Sequence, residues 1–351
     1  MPFKPHALPT LIGSLPIYDH QEATGIILEY MPEIPLWVQL PVYPEERLLS
    51  QFAEGLPGIT GQGDDLFFDT SSPGFDQELI AFYEQYLGVT EGAIPIDDSV
   101  FAFSEKTGRG FSIFLDSVAR TKTRPIALKG QITGPFTMLS SLKDSSGRLA
   151  YFNPQLRDAM VKALSLKARY QVEKMKNIVQ DVIVFLDEPA LSGFGSSAFV
   201  GITREDTVND LSEVAEAVHD AGGIAGIHVC ANTDWSMIID TPVDIISFDA
   251  FSYFDRLILF REQLAGFLAE GRILAWGLVP TLKEKDLRDA DISMLIQKWE
   301  KQTTLLGHDP ETIRSQAIIT PSCGTGLLSL ELSRKALELT RELSRMIRKQ
   351  S

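Results

Sequence analysis

Val182-Ile183-Val184-Phe185-Leu186 runs directly into Asp187-Glu188-Pro189, and this stretch predicts the fold. Five apolar residues in succession leave no polar face, which is the pattern of a strand covered on both sides, as in a parallel sheet. Two carboxylates then stand where the strand should stop. Runs of similar character recur at Thr10 to Ser14, Pro35 to Pro41, Pro125 to Ile132, Gly223 to Val229, Asp244 to Asp249, Ile273 to Val279 and Ala317 to Pro321. Helical periodicity lies between them, clearest over Pro154 to Val179, Arg204 to Ala221, Leu287 to Leu306 and Glu331 to Lys349. Eight strands with intervening helices predict an α/β chain folded as a (β/α)8 TIM barrel. The rival, an open doubly wound sheet, would place a Gly-rich phosphate turn after its first strand, and Ile12-Gly13-Ser14-Leu15-Pro16 is not one.

A length of 351 residues suits one such barrel carrying an insertion. We expect a single barrel domain over residues 1–351, with an insertion over its mouth at approximately 42–123. That segment is long for one connection and holds Gly55-Leu56-Pro57-Gly58, the pairs Asp64-Asp65 and Asp97-Asp98, and a helical stretch near Gln77 to Leu87. No internal repeat or low-complexity tract accompanies it.

With 44% hydrophobic and 23% charged residues, disorder and fibrous repeats are disfavoured. The net charge of −15, from 47 acidic against 32 basic side chains, repels polyphosphates and anionic lipid, so no nucleic-acid or membrane partner is expected. The first residues, Met1-Pro2-Phe3-Lys4-Pro5, do not open a charged leader, and no stretch approaches the roughly 18 apolar residues of a membrane span. A cytoplasmic location is the expectation. The only two cysteines exclude a disulfide framework, and both fall in motif-like segments.

In such a barrel the reactive groups gather at the C-terminal strand ends. Read that way, the sequence places Ser14, Thr133, Asp187, Glu188, His228, Cys230, Asp249, Trp276 and Cys323 at or near one mouth. His228 and Cys230 flank one residue of an extended segment, so imidazole and thiol share a face. Cys323 can complete a Zn2+ site of two thiolates and one imidazole, with a fourth oxygen ligand or an open position, as in catalytic rather than structural zinc. Sulfur ligands argue against magnesium or calcium. Buried cysteines that merely pack are the alternative. Asp187 and Glu188 serve acid–base chemistry, amine binding or helix capping, and the sequence leaves the three open. Thr133-Gly134-Pro135 is a further pocket candidate or an ordinary turn. Trp235 and Trp276 either line a pocket or pack against neighbouring loops.

Taken in order, these motifs resemble the catalytic domain of cobalamin-independent methionine synthase, in its short core form, within the superfamily of uroporphyrinogen decarboxylase and corrinoid methyltransferases. Ile12-Gly13-Ser14-Leu15-Pro16 is similar to the family's Ile-Gly-Ser-Phe-Pro. Lys129 to Pro135 is similar to Lys-Gly-x-Leu-Thr-Gly-Pro, and Asp187 to Leu191 to Asp-Glu-Pro-Ala-Leu. His228-Val229-Cys230 and Pro321-Ser322-Cys323-Gly324 resemble the zinc-binding His-x-Cys and Pro-Asp-Cys-Gly. The resemblance implies a barrel enzyme with zinc on His228, Cys230 and Cys323 and an amino-acid thiol at Ile12, Ser14 and Asp187. The family's fourth zinc ligand is a glutamate, and here Asp249 stands in its place, one methylene shorter. A family glutamate that binds the substrate amine has no counterpart that can be aligned within 42–123. Because the family's additional N-terminal barrel has no equivalent in this chain, the resemblance implies a methylated corrinoid donor, free or bound to a corrinoid protein, and homocysteine as acceptor. The competing expectations are a different thiol such as coenzyme M, a zinc-stabilised module that docks a corrinoid protein, and a metal-free porphyrin-type decarboxylase with an arginine-lined pocket.

Overall fold

The computed structural model describes residues 3–349. Its sheet contains seven parallel strands: β1 (Leu8–Pro9), β4 (Ala127–Thr133), β5 (Asp181–Asp187), β6 (Ile224–Val229), β7 (Ile245–Phe248), β8 (Ile273–Val279) and β9 (Ala317–Pro321). The small strands β2 (Ile59–Thr60) and β3 (Phe67–Phe68) form a separate antiparallel pair. Around the sheet the order is β1-β9-β8-β7-β6-β5-β4, so each strand from β4 to β9 lies beside its successor. The segment 33–40 spans the gap between the two edges. Lys129 N donates to Pro35 O at 2.9 Å on one side, and Gln39 N donates to Gly13 O at 3.1 Å on the other. Isolated parallel bridges, Leu36 with Lys129 and Ser14 with Gln39, mark the same closure. This wall, the second in chain order and the one that completes eight, is irregular because Pro35 and Pro41, at its two ends, have no N–H to give a ladder. Pro9 has the same effect on β1. It begins earlier than the expected Thr10 to Ser14, and beyond it pairing continues only through single contacts such as Thr10 N to Ile319 O at 3.0 Å.

Alternation explains why the strands read as unbroken apolar runs. Ala127, Ile183, Phe185, Ile224, Ile245, Ile273 and Ile318 fill the lumen together. Their neighbours Leu128, Val184, Leu186, Ile227, Ile246 and Leu274 belong to the core between the sheet and the helices. Register then fixes the mouth: Thr133 pairs with Asp187, Asp187 with His228, and His228 with Ser247. Residues paired across parallel strands face the same side. One row of the lumen therefore carries a hydroxyl, a carboxylate, an imidazole and a second hydroxyl.

The long segment after the second wall begins at this mouth, where Thr133 Oγ1 donates to Leu48 O at 2.5 Å. It continues through the β2–β3 hairpin to the helix Phe75–Thr90, which lies on the outside, tied to the helix Pro154–Lys176 by Tyr83 Oη donating to Asp158 at 2.6 Å. Its last part belongs to the barrel itself. The helix Arg109–Ala119 packs beside His20–Tyr30, and Gly110 approaches Val38 so closely that an added Cβ would sit 2.6 Å from its carbonyl oxygen. Among the described residues, no helix is long and apolar enough to cross a membrane.

Candidate active site

His228 is the penultimate residue of β6, Cys230 follows the strand end, and Cys323 lies two residues past β9. One ligand atom from each lies within 4.8 Å of the other two. The Cys323 turn is held by Ser322 N donating to Val279 O at 2.8 Å and Cys323 N donating to Thr281 Oγ1 at 2.9 Å. His228 Nδ1 sits 3.0 Å from Ser247 Oγ, whereas Nε2 is buried without a hydrogen-bond partner. Burial and the positive charge of Lys129 push the imidazole down to about 3, so it is neutral at ordinary pH. With Nδ1–H donating to Ser247, the Nε2 lone pair is free for a metal. The two thiols share a hydrogen bond that lowers the Cys230 thiol and raises that of Cys323. Two sulfurs and one imidazole nitrogen, with a fourth direction left to the cavity, fit zinc.

Asp249 stands outside this trio. Its Oδ1 accepts from Ser252 N at 2.8 Å and caps the helix Ala250–Leu257, while Oδ2 is buried without a partner and burial pushes the carboxyl up to about 6. The structure thus brings together three of the four expected ligands and gives the fourth a capping role.

The trio opens into a cavity of about 500 Å³ also lined by Ile12, Ser14 and Asp187. Asp187 ends β5 with Oδ1 unpartnered, and burial pushes its carboxyl up to about 7 against the pull of Lys129. Ser14 Oγ accepts from Gly326 N at 3.1 Å, and Ser14 O accepts from Thr325 N at 3.0 Å. An added Cβ at Gly324 would lie 2.3 Å from Ser14 Oγ, and one at Gly326 would lie 2.9 Å from it. These two positions must therefore be glycine for the Cys323 turn to nest against Ser14.

Four expected pocket residues do not line this cavity. Glu188 turns aside and caps the helix Pro135–Ser141, accepting from Phe136 N at 2.9 Å, Thr137 N at 2.8 Å and Thr137 Oγ1 at 2.5 Å. Burial pushes its carboxyl up to about 8 against these donors. Thr133 spends its hydroxyl on Leu48. Trp276 takes an outward position in β8, stacked on Phe254 at 5.8 Å and meeting Trp299 edge-on at 5.0 Å. Trp235 starts the helix Trp235–Ile239 and meets Phe248 edge-on at 6.2 Å. Both indoles are wholly buried outside the barrel wall, which corrects the expectation that they line the pocket.

Among the further residues that line the cavity and that the sequence reading did not name are Glu46 and Arg47. Glu46 is buried, with Oε1 2.6 Å from His20 Nε2 and Oε2 accepting from Leu40 N at 2.9 Å, and His20 in turn stacks on Tyr43 at 5.4 Å. The only sequence signal was the cluster Pro44-Glu45-Glu46-Arg47 at the start of the long connection.

By sequence, no protein-family profile and no curated protein matches this chain. Solved structures do match in fold. A structure described as a B12-independent methionine synthase from Shewanella sp. W3-18-1 in complex with selenomethionine superposes with TM-score 0.57 at 14% identity, covering 98% of both chains. A putative vitamin-B12 independent methionine synthase from Listeria monocytogenes gives 0.53 at 12%, again over 98% of both. A methyltransferase from Methanosarcina mazei gives 0.55 at 15%, over 96% of this chain and 94% of the other. At such identities the likeness is one of architecture, and with the closed parallel sheet described above it identifies the fold as a TIM-type barrel.

Proposed function

We propose that this chain is a zinc-dependent methyltransferase that moves a methyl group from a methylated corrinoid to the thiol of homocysteine, forming methionine. One observation carries the reading: His228, Cys230 and Cys323 converge within 4.8 Å at the floor of the cavity that Ser14 and Asp187 also line. The likeness in fold to proteins described as methionine synthases and methyltransferases supports it. A zinc ion held by this trio would supply the positive charge that keeps a thiol deprotonated at neutral pH.

The chain's own residues do the rest. Ser247 fixes the His228 ring, and the Cys323 turn nests on Ser14, so ligands and acceptor loop share one frame. Asp187, which lines the cavity, receives the substrate ammonium, and Ser14 orients the carboxylate. In the transfer, sulfur bonds to the methyl carbon as the carbon–cobalt bond breaks and leaves its electron pair on cobalt. Asp187, Glu46 and Glu284 around the cavity favour an acceptor that carries an amine over the sulfonate of coenzyme M. A single arginine, Arg47, lines it, which disfavours a decarboxylase pocket for several carboxylates.

The test is to supply purified protein with methylcobalamin, or a methylated corrinoid protein, together with homocysteine or coenzyme M, and to follow cob(I)alamin and the methylated thiol. Methionine formation with about one zinc per chain is expected. Turnover of neither thiol with either donor would sink the proposal. Within it, Asp187→Asn should raise the KM for homocysteine roughly tenfold or more, the loss of a charge-assisted contact.

A further inference from the structure

Lys129 points into the barrel from β4, wholly buried, and the methyl-transfer chemistry does not call on it. Its ammonium donates to the Ile12 carbonyl at 2.8 Å and lies 4.5 Å from the centre of the Phe185 ring. Burial lowers its pKa to about 8, opposed by the charge of Asp187. A cation in an apolar lumen costs several kcal/mol unless it is well paired, and the neighbouring lumen positions Ile183, Ile245 and Ile273 are simply apolar. Position 129 departs from that rule directly beneath the site.

What the ammonium grips explains the departure. Residues 12–14 lie outside regular strand, yet all three line the cavity. Their backbone carbonyls are held one by one. Gly13 O accepts from Gln39 N at 3.1 Å, from the neighbouring wall, and Ser14 O from Thr325 N at 3.0 Å, from the turn after β9. The carbonyl of Ile12 is held from inside the barrel by Lys129.

We propose that Lys129 is a positioning residue for the acceptor-binding loop: by clamping the Ile12 carbonyl from within the lumen, it sets Gly13 and Ser14 at the right height above the metal ligands. The inference rests on the reading of this cavity as the homocysteine site. Lys129 hydrogen-bonds the loop and none of His228, Cys230 or Cys323, reaching His228 only through its charge, so zinc content and acceptor affinity are read separately.

Lys129→Met, Lys129→Gln and Lys129→Arg are compared with wild type for zinc per chain, circular dichroism, homocysteine KM and kcat, and the homocysteine Kd by calorimetry. In Lys129→Met, zinc stays at the wild-type level, KM and Kd rise about tenfold or more, and kcat at saturation changes less than about threefold. Lys129→Arg, which keeps a cationic donor, recovers most of the affinity. Should Lys129→Met fail to fold, Lys129→Gln decides in its place, because it removes the charge and shortens the reach. A KM unchanged in the Met or Gln variant of an enzyme whose wild type is active overturns the clamp alone. Loss of zinc in step with loss of affinity overturns it too, since the residue would then hold the metal site. Wild-type protein that loads zinc but binds no homocysteine overturns the clamp and the cavity assignment together.

Discussion

The His228 ring has two nitrogens: Nδ1 meets Ser247, and Nε2, on the side of the thiols, has no hydrogen-bond partner. Ser247→Ala removes the partner that fixes the tautomer and the ring plane. Zinc affinity should then fall about 10–100-fold with the fold intact, as chelator competition would measure. Replacing Cys230 or Cys323 by serine removes a ligand outright. Zinc per chain, read by mass spectrometry, should drop well below one, and methyl transfer should fall with it. The His-x-Cys pair was legible because strand alternation alone puts both side chains on one face. Cys323 was legible from its place just past a predicted strand end and from its motif, but nothing in its spacing reveals that it meets His228 and Cys230, since β8 and β7 stand between β9 and β6. Glu46 was not legible: its partner His20 is 26 residues away, and a short charge cluster has no periodicity to show which member turns inward.

Glu188 belongs to the scale of elements, because it joins the end of β5 to the start of the helix after β4. The sequence offered capping of the next helix as one of its roles, whereas Glu188 caps the helix after β4, which register explains, since Thr133 and Asp187 are paired neighbours. Glu188→Ala strands the N–H groups of Phe136 and Thr137, and the expected loss is about 1–3 kcal/mol in urea unfolding with zinc content unchanged. Gly134→Ala should destabilise by a similar margin, about 1–3 kcal/mol, because its Cβ would sit 2.1 Å from Glu188 Oε1. Recovery of stability in the double variant Gly134→Ala with Glu188→Ala would identify that clash as the cause. Strands buried on both faces were readable from their unbroken apolar runs, and the helices between them from their period. The start of β1 and the irregular second wall were not, because Pro9, Pro35 and Pro41 interrupt ladders in ways that hydrophobicity does not record. The segment 109–119 looked like part of the insertion because the stretch before it hides the return to the barrel ring.

For the molecule as a whole, the opposite end of the barrel holds a histidine paired with a carboxylate. His219 Nε2 lies 2.7 Å from Asp244 Oδ2, which also accepts from Ala225 N at 2.9 Å just where β6 begins. The hydrogen bond to Asp244 raises the His219 pKa above its ordinary 6.5, with burial opposing. A raised histidine contributes stability that is fully present below 6.5 and is lost as pH climbs through the folded value. The melting temperature of zinc-loaded protein should therefore decline from pH 6.5 upward more steeply than that of His219→Gln. Parallel curves for the two would show that the pair does not act this way. The barrel was legible at this scale because eight similar runs with helices between them admit few other closures.

The nesting of Ser14 in the Gly324–Gly326 turn couples two equilibria that are usually treated apart. The same turn carries Cys323, so on the proposed function whatever orders it for zinc would also order the loop that receives the acceptor. By thermodynamic reciprocity, homocysteine must then tighten zinc by the same factor by which zinc tightens homocysteine. A chelator titration with and without homocysteine measures that factor. On that function, homocysteine would help the protein hold zinc when zinc is scarce.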